Sequence, residues 1–172
     1  MAGTIDETFL KLVNSNRGIA HKVCRLYFDE PEDREDALQE MMFQLYRSYK
    51  NFHGNSKFST WMYSVCLNTA LTFKRREKNR KGESLSPAHD QIPEPPRENK
   101  DETIAALYEV IATFGPLNKA IMLLYLEDLS YEEIAGVTGL SKSNVSVRLV
   151  RIKKQLETEM KKKINSIEDV NI

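Results

Sequence analysis

In the stretch SYEEIAGVTGLSKSNVSVRLVRIKKQL, residues 130–156, short polar side chains and arginines are spaced to share one side of a helix. Val145, Leu149, Ile152 and Leu156 recur at i, i+4, i+7 and i+11, which turns that stripe toward a core. The other side then presents Ser143, Asn144, Ser146, Val147, Val150, Arg151 and Lys154, with Lys142 and Arg148 at its edges. A helix entering the major groove of DNA needs small or polar groups near its N-terminus to approach base edges. It also needs arginines or lysines at its margins to hold phosphates. This helix has both, and Val147 and Val150 would be free to touch thymine methyls. The rival reading is the packed end of a helical bundle, which more often shows a Glu/Lys-laced outer face.

The flanking residues define the elements that hold this helix. Ser130 with Glu133 predicts a capping box, Ala135 permits close helix packing, Gly139 supplies a turn, and Ser141 caps the second helix. Upstream, Ile104, Leu107, Ile111 and Phe114 mark one helix stopped at Gly115-Pro116, and Leu117, Ile121, Leu124 and Tyr125 mark the next. A helix-turn-helix that binds duplex DNA is the favoured reading.

The N-terminal half shows three helical patterns and no strand alternation. Phe9, Leu12, Val13, Ile19, Val23 and Tyr27 outline the first, with Gly18 a kink or close-packing point. Pro31 suits the start of the second, whose acids Glu32, Asp33, Glu35 and Asp36 lie at the positive end of the helix dipole. Its core stripe is Leu38, Met41, Met42, Leu45 and Tyr46. After the loop NFHGNSK, a third helix turns Phe58, Trp61, Met62, Val65 and Thr69 inward and ends in a basic run.

Charge is segregated along the chain. The 172 residues carry no net charge, yet DEPEDREDALQE (29–40) has seven acids against Arg34, and KRREKNRK (74–81) has six bases against Glu77. From Lys142 to Lys163, eight bases face Glu157 and Glu159. Any one block reads first as a solvated face, but together they fit two nucleic-acid surfaces and an acidic surface for a basic protein. Residues 82–101, GESLSPAHDQIPEPPRENKD, hold four of the six prolines and no apolar periodicity, which predicts a flexible linker. The expected architecture is all-α: a three-helix domain over 1–81, the linker over 82–101, and a four-helix domain over 102–172.

DREDALQEMMFQLYRSYKNFHGNSKFSTWMYSVCLNTALTFKRREK, the linker, and YLEDLSYEEIAGVTGLSKSNVSVRLVRIKKQL together resemble regions two and four of the extracytoplasmic-function sigma factors, a group of the sigma-70 family. That resemblance implies a transcription initiation factor that binds core RNA polymerase and directs it to promoters, polymerase doing the catalysis. It implies that Asp36, Gln39 and Glu40 meet the clamp helices of the polymerase's largest subunit; acids near a helix start also cap it, and the two roles coexist. It implies a pocket for an unstacked base of the minus-ten element, formed by Phe52, Asn55, Ser56, Lys57, Phe58 and Thr60, with Asn68 nearby and Lys74, Arg75 and Arg76 on the backbone. Aromatics at helical spacing are equally core, and for Trp61 the structural role is favoured. It implies that Lys142, Ser143, Asn144, Ser146, Val147, Arg148, Val150 and Arg151 read the duplex minus-thirty-five element, and it allows an anti-sigma factor as a further partner. Ser146, Val147 and the segment FGPLNKA depart from the usual family residues, which affects promoter sequence more than class.

Other chemistry is thinly represented. Cys24 and Cys66 sit in separate helical patterns and read as buried reduced thiols. His21, His53 and His89 lack metal-ligand spacing, so neither a metal nor another cofactor is expected, and no nucleophile, glycine-rich phosphate loop or catalytic carboxylate pair stands out. Without an apolar run of membrane-spanning length or a signal-peptide pattern, the expected location is cytoplasmic. Two alternatives remain: a conventional helix-turn-helix regulator acting without polymerase, and a helical adaptor that binds proteins.

Overall fold

The computed structural model describes residues 6–81 and 102–170; the flexible linker expected over 82–101, with His89, lies outside them. The described residues form eight helices and no strand, in two compact units.

The first unit contains α1 (Glu7–Ser15), α2 (Gly18–Tyr27), α3 (Pro31–Tyr49) and α4 (Phe58–Lys81). The single first helix expected from periodicity is two, so the unit has four helices and not three. The break falls before Gly18, where Asn16 ends α1: its side chain donates to the Leu12 carbonyl at 2.8 Å, and the Ile19 N–H restarts on the Asn16 carbonyl at 3.0 Å. Pro31 opens α3 as expected, with Glu32 and Asp33 in its first turn. Central to the unit is α4, which packs against both α2 and α3.

The buried faces differ in register from the periodic reading. On α3 the buried stripe is Ala37, Met41 and Leu45; Leu38 and Met42 flank it half-buried, and Tyr46 is 49% exposed, not core. On α4 the buried residues are Thr60, Met62, Tyr63, Cys66, Leu67, Thr69 and Ala70, whereas Phe58, Trp61 and Val65 are only half-buried. Each residue step turns a helix by 100°, so a one-residue error in choosing the stripe moves bulky side chains from the core to its rim.

The second unit contains α5 (Glu102–Ala112), α6 (Pro116–Leu126), α7 (Tyr131–Thr138) and α8 (Lys142–Val170). Five consecutive residues of α6, Ala120 to Leu124, are buried because α5, α7 and α8 all pack on it. Ile104, expected on the inner face of α5, is exposed; Ala106, Val110 and Ile111 take that face. Both arms of the capping box are formed: the Glu133 N–H donates to Ser130 Oγ at 3.2 Å, and the Ser130 N–H to Glu133 Oε2 at 2.8 Å. Gly139 closes α7 at φ 74°, a left-handed conformation that a Cβ would strain, and Ser141 Oγ accepts from the Asn144 N–H at 3.1 Å to start α8. The far end of α8 is held to α5 by an ion pair between Lys163 and Glu109.

Two buried thiols lie inside the first unit. Cys24 Sγ donates to Met41 Sδ at 3.7 Å, and burial pushes its thiol up to about 11 against the opposing pull of Arg34. Cys66 is pushed up to about 12, by burial first and then by Cys24. Among the described residues no group of His, Cys, Asp or Glu is placed to hold a metal ion, and no helix is long and apolar enough to cross a membrane.

Leu149→Ala is expected to destabilise the second unit by about 2–5 kcal/mol. Val150→Ala, one residue on, should change stability by less than ~0.5 kcal/mol, because the side chain it shortens is in solvent. Urea unfolding distinguishes them, and equal losses would contradict the register of α8. The thiols yield a second expectation. Their raised folded-state pKa values favour the folded state fully below about pH 8.5, the ordinary thiol value, and this contribution is lost as pH rises through about 11 to 12. Iodoacetamide at about pH 8 should therefore leave Cys24 and Cys66 unmodified in the native chain and label both in urea, read by intact mass. Labelling of the native chain at the unfolded rate would contradict their burial.

Candidate polymerase and nucleic-acid interfaces

Helix α3 turns a stripe away from its core face. Asp36 and Gln39 are exposed on it, and half-buried Glu40 accepts from Gln44 Nε2 at 2.7 Å. None of the three is in the first turn, which leaves stabilisation of the helix dipole to Glu32 and Asp33. The stripe continues through Phe43 and Tyr46, 55% and 49% exposed, to Arg47 and Lys50. Phe43, Tyr46, Arg47 and Lys50, together with Asp6, Phe9, Tyr49 and Phe52, line an open groove of about 700 Å³.

At the C-terminal end of α3 the chain turns through a loop in which Gly54 has φ 73°. Asn55, Ser56 and Lys57 are exposed there. Phe52 and Phe58 bracket the loop and meet edge to face, their centroids 5.6 Å apart at 87°. Trp61 lies 5.1 Å from Phe52 and 5.3 Å from Phe58, and Tyr49 stands within 6.5 Å of all three rings. Phe9 extends the cluster from α1, 4.8 Å from Tyr49. This half-exposed aromatic group combines the two roles weighed for Trp61: it packs the rings against one another and still presents them at a surface. Thr60 departs from its expected place, because it is 8% exposed on the inner side of α4 and does not share the loop's surface. Tyr49 was not anticipated, and the three-residue spacing of Tyr46, Tyr49 and Phe52 was the available signal; Phe9 was expected in the apolar stripe of the first helix and is buried.

Along α4, Asn68, Thr72 and Arg76 recur every four residues and line, with Val65 and Phe73, a groove of about 370 Å³ shared with Glu40, Gln44 and Ser48 of α3. Lys74 is turned elsewhere: its ammonium sits 4.8 Å from the centre of the Phe28 ring and pairs with Glu77 at 3.3 Å. Of the three basic residues assigned to the strand backbone, Arg75 and Arg76 are exposed and Lys74 is half-buried against α2. Phe28 itself is fixed by the Arg34 Nε donating to its carbonyl at 2.7 Å and by an edge contact to Phe73.

In the second unit, the buried stripe Val145, Leu149 and Ile152 sets the rotation of α8. Ser143, Asn144, Val147, Arg148, Val150 and Arg151 are exposed on its outer side, and Ser146 is half-buried at the edge. Two of the basic groups have partners outside α8. Arg148 donates through Nη1 to Asn118 Oδ1 on α6 at 3.3 Å, and Lys142 pairs with Glu132 on α7, whose carboxyl is held below its ordinary range by that hydrogen bond. Both pairs are exposed, so a phosphate could replace either carboxylate or amide acceptor at little cost. Asn118 and Glu132 had no sequence signal, because each reaches α8 only through the tertiary fold.

Residues 12–80 match Sigma-70 region 2 and residues 104–156 match Sigma-70, region 4. The chain is similar to the RNA polymerase sigma-H factor of Pseudomonas aeruginosa, with 29% identity over 153 residues covering 80% of this chain and 79% of the relative. It is also similar to the ECF RNA polymerase sigma-E factor of Escherichia coli, with 27% identity over 161 residues covering 81% of each. Among solved structures it is similar to the sigma factor RpoE in complex with the anti-sigma factor NepR from Bartonella quintana, with TM-score 0.66 and 16% identity over 90% of this chain and 95% of that one. A second is CnrH in complex with the cytosolic domain of CnrY, with TM-score 0.59 and 18% identity over 91% and 89%. With both regions present in order, each folded as its own helical unit, the chain belongs to the sigma-70 family of RNA polymerase sigma factors, in its extracytoplasmic-function group.

Proposed function

We propose that this chain docks on the clamp helices of core RNA polymerase through Asp36, Gln39 and Glu40, and reads a promoter at two places. The 51–58 loop and α4 hold the minus-ten element as a single strand, and α8 reads the minus-thirty-five element as duplex. In this reading residues 1–81 form the region-two domain, 82–101 the linker and 102–172 the region-four domain, and the protein works in the cytoplasm beside its polymerase. The observation that carries it is the pairing, in one chain, of a half-exposed aromatic cluster beside a basic helix with a separate recognition helix whose outer face is small, apolar and basic.

The energetics are consistent with those roles. Extruding a base from a duplex costs a few kcal/mol, and stacking on an aromatic ring returns about 1–3 kcal/mol per base. Phe52, Phe58 and Trp61 supply such rings, and exposed Asn55, Ser56 and Lys57 supply hydrogen-bonding groups beside them. Thr60, buried on α4, supports that loop from within and Lys74 steadies α4 against Phe28, which leaves Arg75 and Arg76 for the strand's phosphates. Lys142, Ser143, Asn144, Ser146, Val147, Arg148, Val150 and Arg151 form the duplex-reading face. One structural neighbour was solved with an anti-sigma factor, which supports an inhibitor of that kind as a further partner.

The test is capture of core RNA polymerase by the purified protein, followed by run-off transcription from a genomic promoter library. Polymerase binding together with new start sites that share two spaced elements is the expected result. Duplex binding without polymerase would instead favour a conventional regulator. Arg151→Ala should weaken promoter binding by about tenfold and leave polymerase capture intact, and Gln39→Ala should do the reverse. Equal loss of both activities in either variant would contradict the assignment.

A further inference from the structure

Val147 and Val150 are 51% and 68% exposed on α8, whereas Val145 and Leu149, on the same two turns, are at most 1% exposed. Isolated surface valines are ordinary. These two are set apart by their position, three residues from each other inside a face otherwise made of Ser143, Asn144, Ser146, Arg148, Arg151 and Lys154. We propose that Val147 and Val150 are thymine-methyl readers, and that the minus-thirty-five element preferred by this chain carries thymines on two neighbouring base pairs. The proposal rests on the assignment of α8 to that element.

The chemistry follows from what each base shows in the major groove. Thymine alone presents a methyl group there; cytosine presents an N4 amine, guanine N7 and O6, and adenine N7 and an N6 amine. A valine has no hydrogen-bonding atom beyond its backbone, so it attracts only the methyl. Set against an amine, it leaves that donor without water and without a partner, which penalises the wrong base. Valine is also stiff at χ1 in a helix, so its two methyls are held at fixed positions before DNA arrives. Side chains three apart on a helix stand about 5–6 Å from each other, and successive bases on a strand rise about 3.4 Å, so the pair spans adjacent steps. Small Ser143 and Ser146 beside them allow the helix backbone to come close to the groove floor. The flanking Lys142, Arg148, Arg151 and Lys154 select a polyanion over an apolar protein surface as the occupant of this patch.

The experiment uses full-length protein with core polymerase on the promoter found by run-off transcription. Each thymine of the minus-thirty-five element is replaced in turn by deoxyuridine, which removes the methyl and nothing else. Two adjacent replacements should each weaken holoenzyme binding about fourfold, equivalent to ~0.8 kcal/mol per methyl group. The Val147→Ser/Val150→Ser variant should bind the thymine and deoxyuridine templates equally; because both positions are exposed, its helical circular dichroism and urea midpoint should match the parent. Deoxyuridine in the minus-ten element should be equally tolerated by parent and variant. Parent protein that binds every minus-thirty-five deoxyuridine template as tightly as the thymine template overturns the proposal. Scrambling the whole element separates this from failure of the underlying assignment. If scrambling abolishes binding and deoxyuridine does not, only the methyl reading falls; if scrambling has no effect, α8 does not read this element and both fall.

Discussion

Val145, Leu149 and Ile152 are at most 2% exposed, and this seating fixes the rotation of α8 about its own axis. Each such side chain contributes about 1.5–3 kcal/mol when fully buried. Rotating the helix by one residue would bring these three toward solvent and carry Val150, Arg151 or Arg148 toward the core, at the cost of burying a charge or an unfilled contour. The outward face is thus set by what the inner face buries against α6 and α7. The capping box at Ser130, the left-handed turn at Gly139 and the Ser141 cap fix where α8 begins, and so which residues lie in its first two turns.

The first unit applies the same constraint with a different result. Ala37, Met41 and Leu45 seat α3 against its neighbours, and the side chains left outside form a stripe that starts acidic at Asp36, Gln39 and Glu40 and becomes aromatic and basic at Phe43, Tyr46, Arg47 and Lys50. Glu40 at its edge lines the same groove as Asn68 and Arg76 of α4. The surface proposed for polymerase and the surface proposed for the single strand are therefore adjacent on one packed pair of helices. A chain without net charge can present both, because its acids and bases are sorted by helix.

Much of this was legible in the sequence where the signal is local. Capping residues, Pro31, Gly139 and the Val145 to Ile152 stripe depend on near neighbours and an unambiguous period, and the helix-turn-helix they predict is the one observed. The failures fall where tertiary packing chooses between equivalent stripes. Tyr46 and Ile104 fit an apolar repeat but lie on its outer edge, and Phe58, Trp61 and Val65 are rim residues because Cys66, Leu67 and Ala70 take the centre. A single helix with a kink or close-packing point at Gly18 was expected where α1 and α2 stand, and the side chain that ends α1 belongs to Asn16. Thr60 and Lys74 fit a motif by position, yet one points inward and the other lies on Phe28, a residue 46 positions earlier that no local pattern connects to it.

The central claim is that this chain gives core polymerase the ability to open a specific promoter. Permanganate reactivity of promoter thymines tests it most directly, since only unpaired thymines react. With protein and core polymerase together, thymines at and downstream of the minus-ten element should become reactive, with neither component sufficient alone and with reactivity reduced when Phe52 and Phe58 are replaced by alanine. A promoter that stays fully paired in the presence of both, or one that opens equally with polymerase alone, would contradict the account.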